Sequence, residues 1–320
     1  MSQSTIVRVA AVTSALMLAG CAGPSQTDVP LTVQMECGLL PITVTYAGER
    51  ATVVADDMTL ELVATRSASG AKYAQADNDE TYLWNKGERA TLQIDGRTWP
   101  QCLTPGTPPD PLQAHGNEPF WNITVNNHQL TLRTPANQDP TPVAAQHQAI
   151  TNGAHRFTAS VDGLDLVLDV HPEVCHDTMS GMPYPYRAEL VLDQAMAQGC
   201  AGDPERLLQG MEWAVNAING QPVGGDVAAT FQFFGDGLIA GRAFCNRFNG
   251  QYQLSGEGLR VGPLASTKMA CPEPLMDLEH QLLQQLGQVV RFDILSPGEL
   301  VLHTSEGQSI SARTGEQAEP

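Results

Sequence analysis

Three groups of residues in this 320-residue chain carry side chains able to do chemistry. The first lies in Arg66–Arg89, RSASGAKYAQADNDETYLWNKGER. A small-residue tip, Ser67-Ala68-Ser69-Gly70, precedes Lys72 and Tyr73, and Tyr82-Leu83-Trp84 precedes Asn85-Lys86-Gly87. A hydroxyl donates and accepts, and an ammonium pairs with an anion, so the stretch is equipped to bind carboxyl groups. It also has a purely local reading: Gly70 supplies a positive φ, the serines bond to nearby backbone, and Tyr-Leu-Trp favours a strand. The second group is Cys175-His176-Asp177-Thr178-Met179-Ser180-Gly181, whose residue types suit hydrolysis. They are neighbours in sequence, with no strand–turn–helix elbow around Ser180, so a disulfide-pinned loop is expected. The third is His171 with Cys175-His176, a conceivable metal cluster, but the chain has no Cys-x-x-Cys pair. No metal, no cofactor and no enzymatic activity are expected.

The elements that must position these residues are bounded by composition. A net charge of −18 and a pI near 4.6 exclude binding to nucleic acid or anionic lipid headgroups, which need basic patches. An acidic body suits a cationic partner through steering, and it also serves solubility. Val9–Leu18 is an apolar run after Arg8, of signal-peptide length and too short to span a membrane. Leu18-Ala19-Gly20-Cys21 resembles a bacterial lipoprotein signal box. That resemblance implies cleavage after residue 20 and lipidation of Cys21, palmitate included. Ala22 in place of Asp then implies a Gram-negative outer-membrane lipoprotein facing the periplasm or the surface. The mature chain is expected to be anchored through its lipid without crossing the bilayer.

Punctuation divides the rest. Residues 21–30 read as a tether, and Thr104-Pro105-Gly106-Thr107-Pro108-Pro109-Asp110-Pro111 as a semi-extended domain boundary. Gly199–Pro204 is a weaker break, and Gly315–Pro320 an acidic tail. The expected domains are therefore 31–104, 112–201 and 205–313. Short alternating runs such as Ile42-Thr43-Val44-Thr45-Tyr46, Met58–Val63 and Ala90–Ile94 argue for a barrel or sandwich in the first. Trp121–Val125 and Leu130–Leu132 make a hairpin across Asn126-Asn127-His128 in the second. Pro272–Leu286 in the third is a helix, with Leu275, Leu278, Leu282, Leu283 and Leu286 as its core stripe. The fold class is mainly β: three tandem small antiparallel β-barrel-like domains, the last with one helix, each with one disulfide.

Met35-Glu36-Cys37, Ser69-Gly70-Ala71-Lys72-Tyr73, Trp84-Asn85-Lys86-Gly87, Ala90-Thr91-Leu92 and Cys102 follow one another in order. Through them Val29–Leu103 resembles the membrane-bound and periplasmic inhibitors of c-type lysozyme (MliC/PliC). The resemblance implies a small antiparallel barrel closed by a disulfide, acting by pushing a serine and a lysine into the lysozyme cleft. Here these are Ser69 and Lys86, with Tyr73 completing the lysozyme-binding set as a buttress of the loop. The link Ala74–Tyr82 is longer and more acidic than the family's; were it to cover Ser69, inhibition would fail. His115–Trp121 and Cys175–Gly181 resemble an uncharacterised bacterial envelope domain. Glu212-Trp213, Ile218-Asn219-Gly220, Phe231–Gly241, Cys245–Tyr252 and Ser266–Cys271 resemble the META/HslJ family. That family implies a barrel-like fold linked to envelope stress and drug resistance, with Cys245 and Asn246 in a turn pinned by Cys271.

With Cys21 lipidated, six cysteines remain, an even number suited to an oxidising compartment. They fall two to a candidate domain, so the expected pairs are Cys37–Cys102, Cys175–Cys200 and Cys245–Cys271. The function so implied is non-covalent inhibition of c-type lysozyme. The rival is an envelope-stress lipoprotein acting through its META domain.

Overall fold

A computed structural model describes residues 29–56, 58–223, 228–256, 258–296 and 298–314. The expected signal segment, Cys21 and the acidic tail lie outside them.

The first unit comprises β1 (Leu31–Cys37), β2 (Leu40–Ala47), β3 (Arg50–Ala55), β4 (Met58–Thr65), β5 (Ala71–Gln75), β6 (Asn78–Lys86), β7 (Arg89–Ile94), β8 (Arg97–Thr98) and β9 (Cys102–Leu103). They run in the order β6-β5-β4-β3-β2-β1-β9-β7-β8, and an added β6–β7 pairing closes the sheet on itself. Closure gives each strand a dry face, which is why the alternation is sharp. Met35, Ile42, Val44, Val53, Leu62, Leu83 and Leu92 are buried and pack as one cluster. Cys37 lies directly opposite Cys102 across β1 and β9, and the two are joined. The closed loop has a sequence separation of 65 residues; such a constraint on the unfolded chain is worth about 4 kcal/mol.

The middle unit comprises β10 (Leu112–Asn117), β11 (Phe120–Asn126), β12 (Gln129–Arg133), β13 (Val143–Ala144), β14 (Gln146–Ala149), β15 (His155–Val161), β16 (Leu164–His171), β17 (Cys175–His176), β18 (Pro183–Tyr184), β19 (Tyr186–Leu192) and β20 (Ala195–Ala201). Nine strands form one antiparallel sheet in the order β13-β12-β11-β10-β20-β19-β16-β15-β14, and β17 and β18 form a separate hairpin. The His115–Trp121 block is a packing device. Gly116 sits opposite Trp121, and a Cβ there would collide with the buried indole. Cys175 is bonded to Cys200.

The third unit is an antiparallel sheet built from strands between Trp213 and Thr314, with α1 (Glu273–Leu286) the one α-helix among the described residues. Leu282 and Leu286 of α1 are buried, and Leu275, Leu278 and Leu283 pack against the same core, so the leucine stripe is core. Asn246 explains the Cys245–Tyr252 block. Its backbone N–H and side-chain amide donate to the buried Glu279 carboxylate at 2.8 and 2.9 Å, and its carbonyl accepts from Thr267 and Met269, both at 2.7 Å. Cys245–Cys271 closes this turn.

The units are knitted together. The Pro-rich segment after β9 is not a solvated spacer: Thr107 and Pro108 are buried, and Gln101 exchanges two hydrogen bonds with Asp110. The Leu39 amide donates to the Gln209 carbonyl at 2.9 Å, and Arg206 donates to the Gln101 carbonyl at 2.7 Å. Trp99 meets Phe234 edge to face, with Arg97 over the same Phe234 ring. His176 of the middle unit reaches Asp293 of the third at 2.8 Å.

Candidate functional site

Ser69 lies on the exposed loop between β4 and β5, and Lys86 ends β6. Three interactions bring them together. Ala71, at the start of β5, pairs with Asn85, so the loop tip falls beside the end of β6. Gly70, at φ +65°, lies against the Asn85 carbonyl, where a Cβ would collide with it. The Trp84 indole N–H donates to the Ser69 carbonyl at 2.8 Å, while Lys86 Nζ sits 3.9 Å from the centroid of the same Trp84 system. One indole thus holds both residues. The Ser67 hydroxyl donates to the Gly70 carbonyl at 3.0 Å and tightens the loop from within.

Strand alternation gives this face its composition. Tyr82, Trp84 and Lys86 are at i, i+2 and i+4 on β6 and point outward, while Thr81 and Leu83 are buried. Lys72 lies opposite Trp84 on β5, and its Nζ stands 3.8 Å from the Tyr82 ring centroid. The barrel therefore presents two ammonium groups on two aromatic rings, and among the described residues no carboxylate pairs with either. A cation on a ring keeps its charge available to an anion while losing rotamer freedom. Tyr73 is placed otherwise. It is half-buried on the inward face, its ring 5.5 Å from that of Tyr46, and Asn85 donates to the Tyr46 hydroxyl at 2.7 Å. Burial pushes the Tyr46 phenol upward, so it stays neutral. Tyr73 and Tyr46 floor the site. Trp84 was not singled out by sequence for any such role, although Trp84-Asn85-Lys86 on a strand places indole and ammonium on one face.

The link Ala74–Tyr82 forms the end of β5, a tight turn and most of β6. Its turn lies at the far end of β5 from Ser69. Asn78 ties it down, donating to Thr81 Oγ1 at 3.1 Å and to Asp95 at 2.8 Å. The link flanks the barrel and leaves the Ser69 loop uncovered.

The hydrolytic residue types converge elsewhere. Asp177 accepts from the backbone amides of Met179 and Ser180 at 3.1 and 2.7 Å, from the Ser180 hydroxyl at 2.8 Å and from Asn117 at 2.7 Å. Burial works against its charge, but these donors outweigh it and hold its carboxyl down at about 2. His115 Nε2 lies 3.3 Å from Asp177, and His176 is committed to Asp293. The Ser180 hydroxyl is spent on Asp177 and meets no imidazole, so no nucleophile–base pair forms. The conceivable metal cluster does not assemble, since Cys175 is in a disulfide. Asp169, His171 and Glu189 do bring ligand atoms within 4.8 Å of one another. Asp169, however, is gripped by Arg156 at 2.6 and 2.7 Å, and Glu189 holds Arg187. Two guanidinium groups already supply the positive charge a cation would bring.

Residues 36–99 match the family described as membrane-bound lysozyme-inhibitor of c-type lysozyme, and residues 206–316 match the META domain. The chain is 32% identical over 104 residues to heat shock protein HslJ of Escherichia coli (strain K12), covering 32% of this chain and 73% of that protein. Among solved structures, one NMR structure of a protein from Burkholderia xenovorans is 23% identical, covers 35% of this chain and 86% of its own, and superposes with a TM-score of 0.31. A second NMR structure is 28% identical, covers 37% of this chain and 99% of its own, with a TM-score of 0.32. Residues 36–99 thus form a barrel that matches the c-type lysozyme-inhibitor family, and the chain belongs to the META-domain family of heat shock protein HslJ.

Proposed function

We propose that this protein blocks c-type lysozyme by inserting Ser69 and Lys86 into the enzyme's cleft, and that it does so as a lipoprotein anchored through Cys21 in the outer membrane. The observation that carries the reading is the shared indole: Trp84 fixes the Ser69 backbone and seats the Lys86 ammonium. Lysozyme works with one protonated and one ionised carboxyl group. The Ser69 hydroxyl accepts from the first and donates to the second, and Lys86 pairs with the ionised one in a slot that excludes water. The Ser69 backbone and the Lys86 side chain need little ordering on binding, because Trp84 already holds both. The action is stoichiometric occupation, with no bond made or broken. The META domain would then brace the barrel through Gln209 and Phe234.

The test is competition. A chitin oligosaccharide that fills the lysozyme cleft should displace the protein, and Ser69→Ala or Lys86→Ala should each weaken binding by roughly 1–3 kcal/mol. Binding indifferent to the oligosaccharide would place the contact outside the cleft and remove the plug.

A further inference from the structure

We infer that the middle domain supplies the second half of the lysozyme-docking surface, through the Asn127–His128 turn and strand β14; this rests on the proposed plug.

The geometry starts at Lys86. Across the Gly87-Glu88 turn, Lys86 pairs directly with Arg89, so their side chains share the outer face of the barrel. Directly opposed Cβ atoms on antiparallel strands are about 5 Å apart. Arg89 is not free: its guanidinium donates to the Pro108 carbonyl at 3.0 and 3.2 Å. The Thr104 amide donates to the Glu88 carbonyl at 2.9 Å. Hence the hairpin that carries Lys86 is bonded to the segment leading into the middle domain. Arg89 also lines one small slot with Pro108, Asp110, His128 and His147. The slot is closed from below, where His147 stacks on Phe157 at 4.9 Å and bonds to His155 at 3.2 Å. Above, the Asn127 amide donates to Asp110 at 3.1 Å. The middle domain therefore begins one side chain away from Lys86, in a fixed position.

The size of a protein interface does the rest. A stable complex buries about 800 Å² on each partner, equivalent to a disc about 16 Å in radius. A disc of that size centred on Ser69 and Lys86 runs over Arg89 and onto the middle domain. What it meets there suits a basic partner. Residues 126–129 and 146–149 are exposed and read Asn-Asn-His-Gln and Gln-His-Gln-Ala, with no lysine or arginine among them, and Arg156, opposite Gln148, is already held by Asp169. Amides and imidazoles offer donors and acceptors, and the one guanidinium beside them is paired with a carboxylate. A barrel alone would leave a lysozyme-sized partner overhanging solvent on this side.

Two readouts on the full soluble chain test the inference, with a basic c-type lysozyme as the probe. Gln129→Arg and Gln146→Arg bracket the slot on exposed positions, and Gln194→Arg on the β19–β20 turn is the control. The bracketing changes should each weaken inhibition roughly tenfold by like-charge contact, and the control should leave it within about twofold. Amide exchange should slow at 126–129 and 146–149 on adding lysozyme, as well as around Ser69. Wild-type inhibition by both bracketing variants, with protection confined to 31–103, would overturn the inference while leaving the plug intact. If Ser69→Ala and Lys86→Ala inhibit like wild type, the plug fails, and the inference that rests on it falls with it whatever the bracketing variants do. Absence of inhibition by the wild-type chain overturns both.

Discussion

The Ser69 loop and the Asp177 loop use the same kinds of residue to opposite ends. Each has a serine, a charged side chain and an aromatic neighbour near a disulfide-closed sheet. Around Asp177 the hydroxyl, the amides and the imidazole all turn inward onto one carboxylate, and the loop consumes its own hydrogen-bonding capacity. Around Ser69 the holding is done by backbone and by an indole, so the hydroxyl and the ammonium face outward. A residue type is therefore a poor guide to a site. What distinguishes the Ser69 loop, the proposed binding surface, is that the groups that shape it are different from the groups it presents.

The sharpest way to break this comparison is to remove one presented group from each loop. Lys86→Ala should cost up to about 3 kcal/mol of lysozyme binding, measured by titration calorimetry, with the thermal midpoint unchanged. Ser180→Ala should do the reverse, lowering stability by about 1–2 kcal/mol in denaturant melts and leaving inhibition intact. Loss of inhibition from Ser180→Ala would mean that the Asp177 loop also presents groups to the partner.

Acid sharpens the comparison next. Asp177 has its pKa lowered from 3.8 to about 2 in the folded chain. A depressed acid stabilises the fold above its unfolded pKa, and that contribution is lost as pH falls through the folded value. About 2 kcal/mol should therefore disappear between roughly pH 4 and pH 2. Asp177→Asn should flatten that limb of the stability–pH curve. An unchanged limb would show that Asp177 is not what holds its loop.

A smaller effect isolates the indole. Trp84→Phe keeps a ring beneath Lys86 but deletes the bond to the Ser69 carbonyl, so binding should weaken by about 1 kcal/mol. Trp84→Leu removes the ring as well and should weaken it further. Equal binding by both would mean that the loop holds Ser69 without help. Smallest of all, Asp77→Asn and Asp79→Asn in the link far from Ser69 should change binding by under about 0.5 kcal/mol, and less still at high salt.

Much of the architecture could be read from residues because strand alternation is local. Ile42-Thr43-Val44 in the first barrel and the leucine stripe of α1 each declare which face is buried. Gly70 was legible as a turn residue, but the close approach that requires it, to the Asn85 carbonyl, was not. The partner lies fifteen residues away across a strand pair, and register is set by the whole barrel. Trp84 escaped for the same reason: its bond to Ser69 has a sequence separation of 15. The Pro-rich segment after β9 reads as a spacer, because nothing local reveals that Arg89 and Gln101 will capture its carbonyls. Disulfide partners followed from assigning cysteines to units, which needed only the breaks between them.

The central claim is most directly tested by turbidimetric lysis of peptidoglycan with a c-type lysozyme at physiological salt, with the soluble chain from Ala22 onward or its Ser69→Ala variant added. The account predicts that the wild-type chain stops lysis and that the variant does so distinctly less well. Equal protection by both would show that charge alone captures the enzyme, and lysis unimpeded by either would contradict the account outright.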